Sequence, residues 1–437
     1  DIRKEKMKTL RIYIVIALIA FCGFNAHSQL IGKGSNETIV LENAEIHTVT
    51  NGIVQGSVWL ENGKIKAVGD VNAPRNIKRM NCQGKRIYPG FIDSGTSLGL
   101  KEIGSISLTQ DAREIGEFHP QMDALTAVNP NSILIPVTRV NGITTVLTVP
   151  EGGYYSGLAN LINLWGYTPD QMDANFKGLV MNYPSTGKRG WWDRRSPEEI
   201  KKESEKALKK FDAYWEKAVA YQELYEQANG EVVYNPELEA MRMAVEGKMK
   251  VLLECNSKED ILAAIQWVGD KNINAVLTGV KEGYMVADSI AKAGIPVVTG
   301  PILAVPSRSS ESYDIAYKNA GIMQKAGVVV AIRTDENENV RNLLYNAGFA
   351  AAYGMGIEEA VKAITIVPAK IFGVDELYGS IEAGKVANLF ICDGDPFETK
   401  TTIEQVFING WKIPMESRHT LLYDEFLERN PGLQNKK

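Results

Sequence analysis

The sequence predicts a mixed α/β fold: a (β/α)8 TIM-like barrel with a small β-sandwich formed by the N- and C-terminal segments. Three observations predict it. Short strands of alternating polarity, broken by Asn-Gly turns, fill residues 37–71; eight apolar strand-like runs separated by helical patterns follow; strand character with similar turns returns from residue 389. The chain has 437 residues, 44% hydrophobic and 23% charged, an ordinary globular composition with ample apolar surface for a large core.

In chain order, the first feature is a leader. Lys8 and Arg11 precede the apolar run 12–24, which ends in Ala26-His27-Ser28, so residues 1–28 read as an export signal cleaved near Ser28. The run is short for a membrane span and no later stretch reaches about 18 apolar residues, so no membrane association is expected after cleavage. Cys22 follows Phe21 rather than the small residue that lipid attachment wants. Removing five basic and two acidic side chains takes the net charge from -5 to -8. An acidic chain without a dense Lys/Arg cluster lacks the basic face of a nucleic-acid reader. The expected location is periplasmic or extracellular. Cys82, Cys255 and Cys392 are an odd, sparse set, read as buried thiols rather than a disulfide framework.

The N-terminal part of the sandwich, 37–86, is expected to hold strands at 38–41, 45–49, 57–61 and 64–68, with turns at Asn51-Gly52 and Asn62-Gly63. The barrel, 87–376, is expected to use the runs 88–93, 144–149, 158–164, 178–183, 251–256, 275–279, 296–300 and 328–335, as a parallel sheet covered by helices. Ser196-Pro197-Glu198-Glu199 is a capping box opening a long charged helix to Gln227, read as an amphipathic insertion beside the barrel. Asn235-Pro236 caps another helix, and further helices are expected at 340–353 and 357–364. The C-terminal part, 377–425, adds strands at 389–393 and 406–408 with turns at Asp393-Gly394 and Asn409-Gly410, ahead of a tail at 426–437. Neither half of the β module buries enough apolar surface alone, so the two must pair.

Several segments resemble the amidohydrolase superfamily, in its imidazolonepropionase-like and dihydroorotase-like branch. They are Pro89-Gly90-Phe91-Ile92-Asp93, Gly142-Ile143-Thr144-Thr145-Val146, the stretch from Ala287 to Val297, Thr334-Asp335, and above all Gly379-Ser380-Ile381-Glu382-Ala383-Gly384-Lys385-Val386-Ala387-Asn388-Leu389 running on to Asp393-Gly394-Asp395-Pro396. The resemblance implies hydrolysis of non-peptide carbon–nitrogen bonds by one or two divalent metals, zinc in particular, at the C-terminal mouth of the barrel. It also implies the ligands: a His-x-His pair on the first strand, histidines ending the fifth and sixth, and an aspartate on the eighth. Here those positions hold Gly95 and Ser97, then Glu254-Cys255-Asn256, then Thr278-Gly279, with only Asp335 in place. The histidines of the chain, His27, His47, His119 and His419, fall in the leader, a sandwich strand, a loop and the C-terminal region, where they cannot rebuild such a site. No cofactor is therefore expected.

By the period-two rule Asp93, Ser97, Glu254, Asn256, Arg333 and Asp335 should all face the mouth. Glu254 and Asp335 could hold a weakly bound Mg or Ca ion through oxygen alone. The preferred alternative puts the Arg333 guanidinium where a metal would be, paired with Asp93, Asp335 or Glu254. The expected function is then a pseudoenzyme binding a small molecule or a related amidohydrolase subunit, with homo-oligomerisation left open. The alternative is an active hydrolase on cyclic amides or dipeptide-like substrates, with Asp335 as general base and Arg333 or Asn256 as oxyanion donors. A glycan-binding reading rests on Tyr154-Tyr155 and Trp191-Trp192, which packing explains equally well. Gly152-Gly153 and residues 186–195 are expected to line the mouth.

Overall fold

The computed structural model describes residues 34–187, 193–308, 310–430 and 432. The leader 1–28 and Trp191-Trp192 lie outside the described residues.

Two sheets organise the chain. The first has nine strands drawn from both ends: β1 (Ser35–Asn36), β2 (Ile39–His47), β3 (Ile53–Glu61), β4 (Lys64–Gly69), β5 (Lys78–Asn81) and β6 (Arg86–Pro89), joined by strands after residue 388. The second has eight: β7 (Phe91–Thr96), β8 (Ile143–Thr148), β9 (Tyr155–Asn163), β10 (Asp173–Asn182), β11 (Lys250–Cys255), β12 (Ala275–Gly279), β13 (Val297–Thr299) and β14 (Val330–Ile332). The returning strands are β15 (Leu389–Cys392), β16 (Ile403–Ile408) and β17 (Trp411–Lys412). β15 pairs antiparallel with β6, and β17 with β1, so the two halves complete each other. Their shared core joins Ile39, Leu41, Ile46 and Leu60 to Ile381, Leu389, Ile391 and Phe407.

The expected strands 38–41 and 45–49 are one strand, β2. Its register shifts between Leu41 and Ala44, where Asn43 takes a φ of 63°, so a bulge rather than a turn carries the polar break.

The second sheet closes into a barrel. One small or branched side chain from each strand fills an inner layer: Ile92, Leu147, Ala159, Val180, Leu252, Val276, Val298 and Ala331. Between the last strand and the first, residues 363–364 act as the bridge: the Ile332 amide donates to the Ala363 carbonyl, and the Ile92 amide to that of Ile364. One strand departs from the expected all-parallel barrel. β9 runs antiparallel to both β8 and β10. The connection 149–154, turning through Gly152 (φ 89°) and Gly153 (φ 66°), is too short for a crossover, which needs a dozen or more residues.

Helices cover the remaining strands: α1 (Pro197–Gln227) and α2 (Pro236–Val245) lie between β10 and β11, then α3 (Lys258–Lys271), α4 (Ala287–Ala293) and α5 (Ile315–Lys325) follow one per strand. The Ser196 capping box and the Asn235 cap both form, each with proline in the first turn. The inner face of α1 buries Phe211, Trp215, Ala218 and Tyr221. Tyr155 donates from its hydroxyl to the Phe211 carbonyl at 2.9 Å, tying the helix to β9. Cys82, Cys255 and Cys392 are buried free thiols.

Candidate functional site

The inner layer sets the geometry above it. Two residues beyond Leu252, Val276 and Ala331 come Glu254, Thr278 and Arg333, which the two-residue repeat carries to the C-terminal mouth on the same inward side. Arg333 grips Glu254 with two teeth: Nη1 stands 3.0 Å from Oε2, and Nη2 donates to Oε1 at 3.1 Å. Thr278 donates from Oγ1 to Glu254 Oε2 at 2.7 Å, and Asn256 from Nδ2 to Oε1 at 2.9 Å. Arg333 Nη2 also lies 3.4 Å from Asp335 Oδ2. A continuous chain of polar contacts thus runs Asp335, Arg333, Glu254, Asn256 across the mouth.

Burial works to raise the Glu254 carboxyl, but the Arg333 charge and the bonds from Thr278 and Asn256 hold it below the usual carboxylate value. Burial also disfavours the Arg333 charge, and the Glu254 and Asp335 carboxylates outweigh it. The ion pair therefore persists in both partners. Asp335 stands in a positive-φ conformation (57°) with its side chain 49% exposed. Crowding by the barrel wall raises its carboxyl, with Glu254 adding to the rise and Arg333 opposing it.

Asp93 behaves differently from the expected inward acid paired with Arg333. It alternates with the inward Ile92, is fully buried, and accepts from the Gly95 amide, the Thr334 amide and the Thr334 hydroxyl. Desolvation pushes its carboxyl up to about 7 despite these donors. Its role is to join β7 to the segment after β14. Ser97 is buried and contributes backbone bonds, its amide donating to the Glu336 carbonyl.

The metal that the resemblance implies can be tested against these residues. Among the described residues no group of three His, Cys, Asp or Glu side chains could hold an ion. A Cβ on Gly95 would stand 2.9 Å from Arg333 Cδ, and one on Gly279 would stand 2.4 Å from both Glu254 Oε1 and Asn256 Oδ1. The glycines at two of the implied ligand positions are thus the space that the Arg333–Glu254 pair fills, and a guanidinium there repels a cation. The donor set does not fit a zinc centre.

The other singled-out residues lie elsewhere. His47 is on β2, bonded to Glu45; His119 is on the loop after β7; His419 is in the helix Arg418–Arg429, which reaches into the expected tail. Tyr154 and Tyr155 pack with Phe118, Phe211 and Tyr214, which makes them core against α1. Of the loop 186–195, residues 188–192 lie outside the described residues. Sequence reasoning missed Thr278 and Thr334 as partners of the two buried carboxylates. Their signal was available: Thr278 shares the parity of Glu254 on the next strand, and Thr334 directly follows Arg333.

Comparison with known proteins agrees with this architecture. An amidohydrolase of Thermotoga maritima MSB8 superposes with a TM-score of 0.75 at 26% identity, over 87% of this chain and 100% of that one. Amidohydrolase tasK of Hapsidospora irregularis is 22% identical over 392 residues, 81% of this chain and 39% of its own length. Imidazolonepropionase of Picrophilus torridus is 32% identical over 124 residues, 26% of this chain and 32% of its own length. The chain thus spans well under two thirds of the curated relatives it matches. The model described as the amidohydrolase family matches residues 138–412, more than half of the sequence, and the chain belongs to that family.

Proposed function

We propose that this amidohydrolase-family chain has given up metal-dependent hydrolysis and uses its barrel mouth to bind a small molecule or a related amidohydrolase subunit. One observation carries the reading: the Arg333 guanidinium, 7% exposed, locked on Glu254 over Gly95. An arginine held by a hydrogen bond and an ion-pair contact in a low-dielectric site is a fixed feature of that site, and restoring a cation there would place like charges side by side. The reading includes no cofactor, and export on the strength of the leader-like residues 8–28, which N-terminal sequencing of the exported chain would test.

One observation favours the hydrolase alternative: Asp335 is open to solvent with a raised carboxyl, which improves it as a base near neutral pH. The oxyanion donors weigh against it. Arg333 Nη2 and Asn256 Nδ2 already donate to Glu254, and Nη1 is ion-paired with it, so a developing oxyanion would share these donors with a resident carboxylate that repels it.

The test is elemental analysis of the purified protein after dialysis and after incubation with Zn, Mn and Mg, alongside a screen of lactams, hydantoins and dipeptides. No retained metal and no turnover are expected. About one equivalent of metal per chain, lost in Glu254→Gln, or turnover abolished by Asp335→Asn, would overturn the proposal.

A further inference from the structure

The C-terminal helix Arg418–Arg429 is laid on the barrel rather than built into it. Ser417, itself buried, starts it: its hydroxyl accepts from the Thr420 amide at 3.3 Å, and the Thr420 hydroxyl accepts from the Ser417 amide at 2.9 Å. Beyond this cap the helix rests against the short helix Leu134–Arg139, and none of its 12 residues is buried. Its Leu421 and Leu427 are half-buried, whereas Leu422, Tyr423 and Phe426 are 52%, 50% and 51% exposed. A helix of this length is marginal in water on its own and takes its stability from a covered apolar face. Here three large apolar side chains are left outside any cover.

Helical spacing lines these side chains up. His419, Leu422, Tyr423 and Phe426 stand at i, i+3, i+4 and i+7, which makes one stripe along the helix. Arg418 and Glu425 run along one edge of it, and Thr420 and Leu427 along the other. The Arg418 side chain makes no hydrogen bond or ion pair among the described residues. Glu425 is paired with Arg429 through Oε1 and stays exposed, with its other oxygen open to a further cation. The helix carries two arginines against three acidic residues, so an anionic lipid surface is not its match.

We propose that this stripe pairs with the same stripe of a second copy of the chain, the two helices running antiparallel about a two-fold axis between Leu422 and Tyr423. Leu422 then faces Tyr423 of the second copy, and His419 faces Phe426 of the second copy, so the stripe covers itself. A two-fold antiparallel pair sets like edges together, which brings Arg418 beside Glu425 of the second copy, and does so at both ends. A parallel pair would set that edge against Thr420 and Leu427, which offer Arg418 no charge. Charge therefore selects the antiparallel pair. One helix against another makes a small interface, and small interfaces bind weakly, so a Kd on the order of 10 µM is expected.

The surface is independent of the barrel mouth, so retained metal or turnover there would leave it standing. Sedimentation velocity of the purified chain from ~1 to ~100 µM should show a monomer–dimer equilibrium. Phe426→Glu should weaken it at least ~10-fold, with circular dichroism and Tm unchanged because the side chain it replaces is exposed. Arg418→Glu alone and Glu425→Arg alone should each weaken it ~10-fold or more, since each sets like charges together at both ends. Mixing those two variants in equal amounts should restore the dimer, because the mixed pair again has opposite charges at both ends. A chain that stays monomeric up to ~100 µM, leaving the face to a different protein, would overturn the proposal. So would a dimer indifferent to Phe426→Glu, or a mixture that associates no more tightly than its two components.

Discussion

Asp93 and Thr334 join the two ends of the barrel sheet: the buried carboxylate accepts from both the amide, at 3.1 Å, and the hydroxyl of Thr334. The Asp335 amide continues the seam by donating to the Gly95 carbonyl at 3.0 Å. The same seam sets Arg333 on one side and Asp335 on the other, so barrel closure and mouth geometry share a support. Removing the carboxylate leaves buried donors without partners. Asp93→Ala should lower the unfolding free energy by roughly 2–3 kcal/mol in urea titration. A loss below about 0.5 kcal/mol would mean that the seam is held by the backbone bonds alone.

The Asp93 carboxyl also sets a pH dependence. Its folded value, about 7, lies above the unfolded aspartate value, so the native state binds the extra proton between the two. The contribution of Asp93 is fully present below about pH 4 and is lost as pH rises through about 7. Asp93→Asn cannot ionise. The stability of wild type relative to this variant should therefore fall as pH rises from about 4 to 7. Urea midpoints across that range would show it, and a difference that is flat or rises would contradict the assignment.

Glu254 and Arg333 are coupled by burial. Glu254→Gln strands the Arg333 charge in the barrel wall and should cost roughly 3 kcal/mol. Arg333→Met in the same background removes the stranded charge and should return part of that stability, as a double-mutant cycle in denaturant reads directly. Additive losses would mean that solvent, rather than Glu254, neutralises the guanidinium.

Much of this arrangement is legible in the sequence, for identifiable reasons. The barrel strands announce themselves because each contributes an apolar side chain to one inner layer, and two-residue parity then carries Glu254 and Arg333 to the mouth. The missing histidines are visible by inspection. The expectation for Asp93 misses because Asp93 directly follows the inward Ile92, so alternation turns it away from the mouth, and its partner is a loop residue after β14. The reversed β9 is encoded in the shortness of 149–154, a signal that apolar runs taken alone conceal.

The long helix α1 tests how much of the barrel depends on an element that composition alone makes resemble a solvated appendage. Phe211 is fully buried, with Tyr155, Tyr183 and Trp267 ring centroids at 5.3, 5.6 and 5.0 Å. Its carbonyl receives the Tyr155 hydroxyl, so the same residue binds β9 through both side chain and backbone. The reversed strand lacks a crossover helix of its own, and α1 with its aromatic face supplies the cover. Phe211→Ala should therefore cost roughly 3–5 kcal/mol, as for an aromatic deleted from a packed core. Tyr155→Phe, which removes one buried hydroxyl and its added bond to the helical Phe211 carbonyl, should cost about 1 kcal/mol. Thermal and urea unfolding of both variants would measure this. Near-neutral values with unchanged helix content would make α1 an independent appendage, whereas a cooperative loss of the whole transition would make it part of the barrel core.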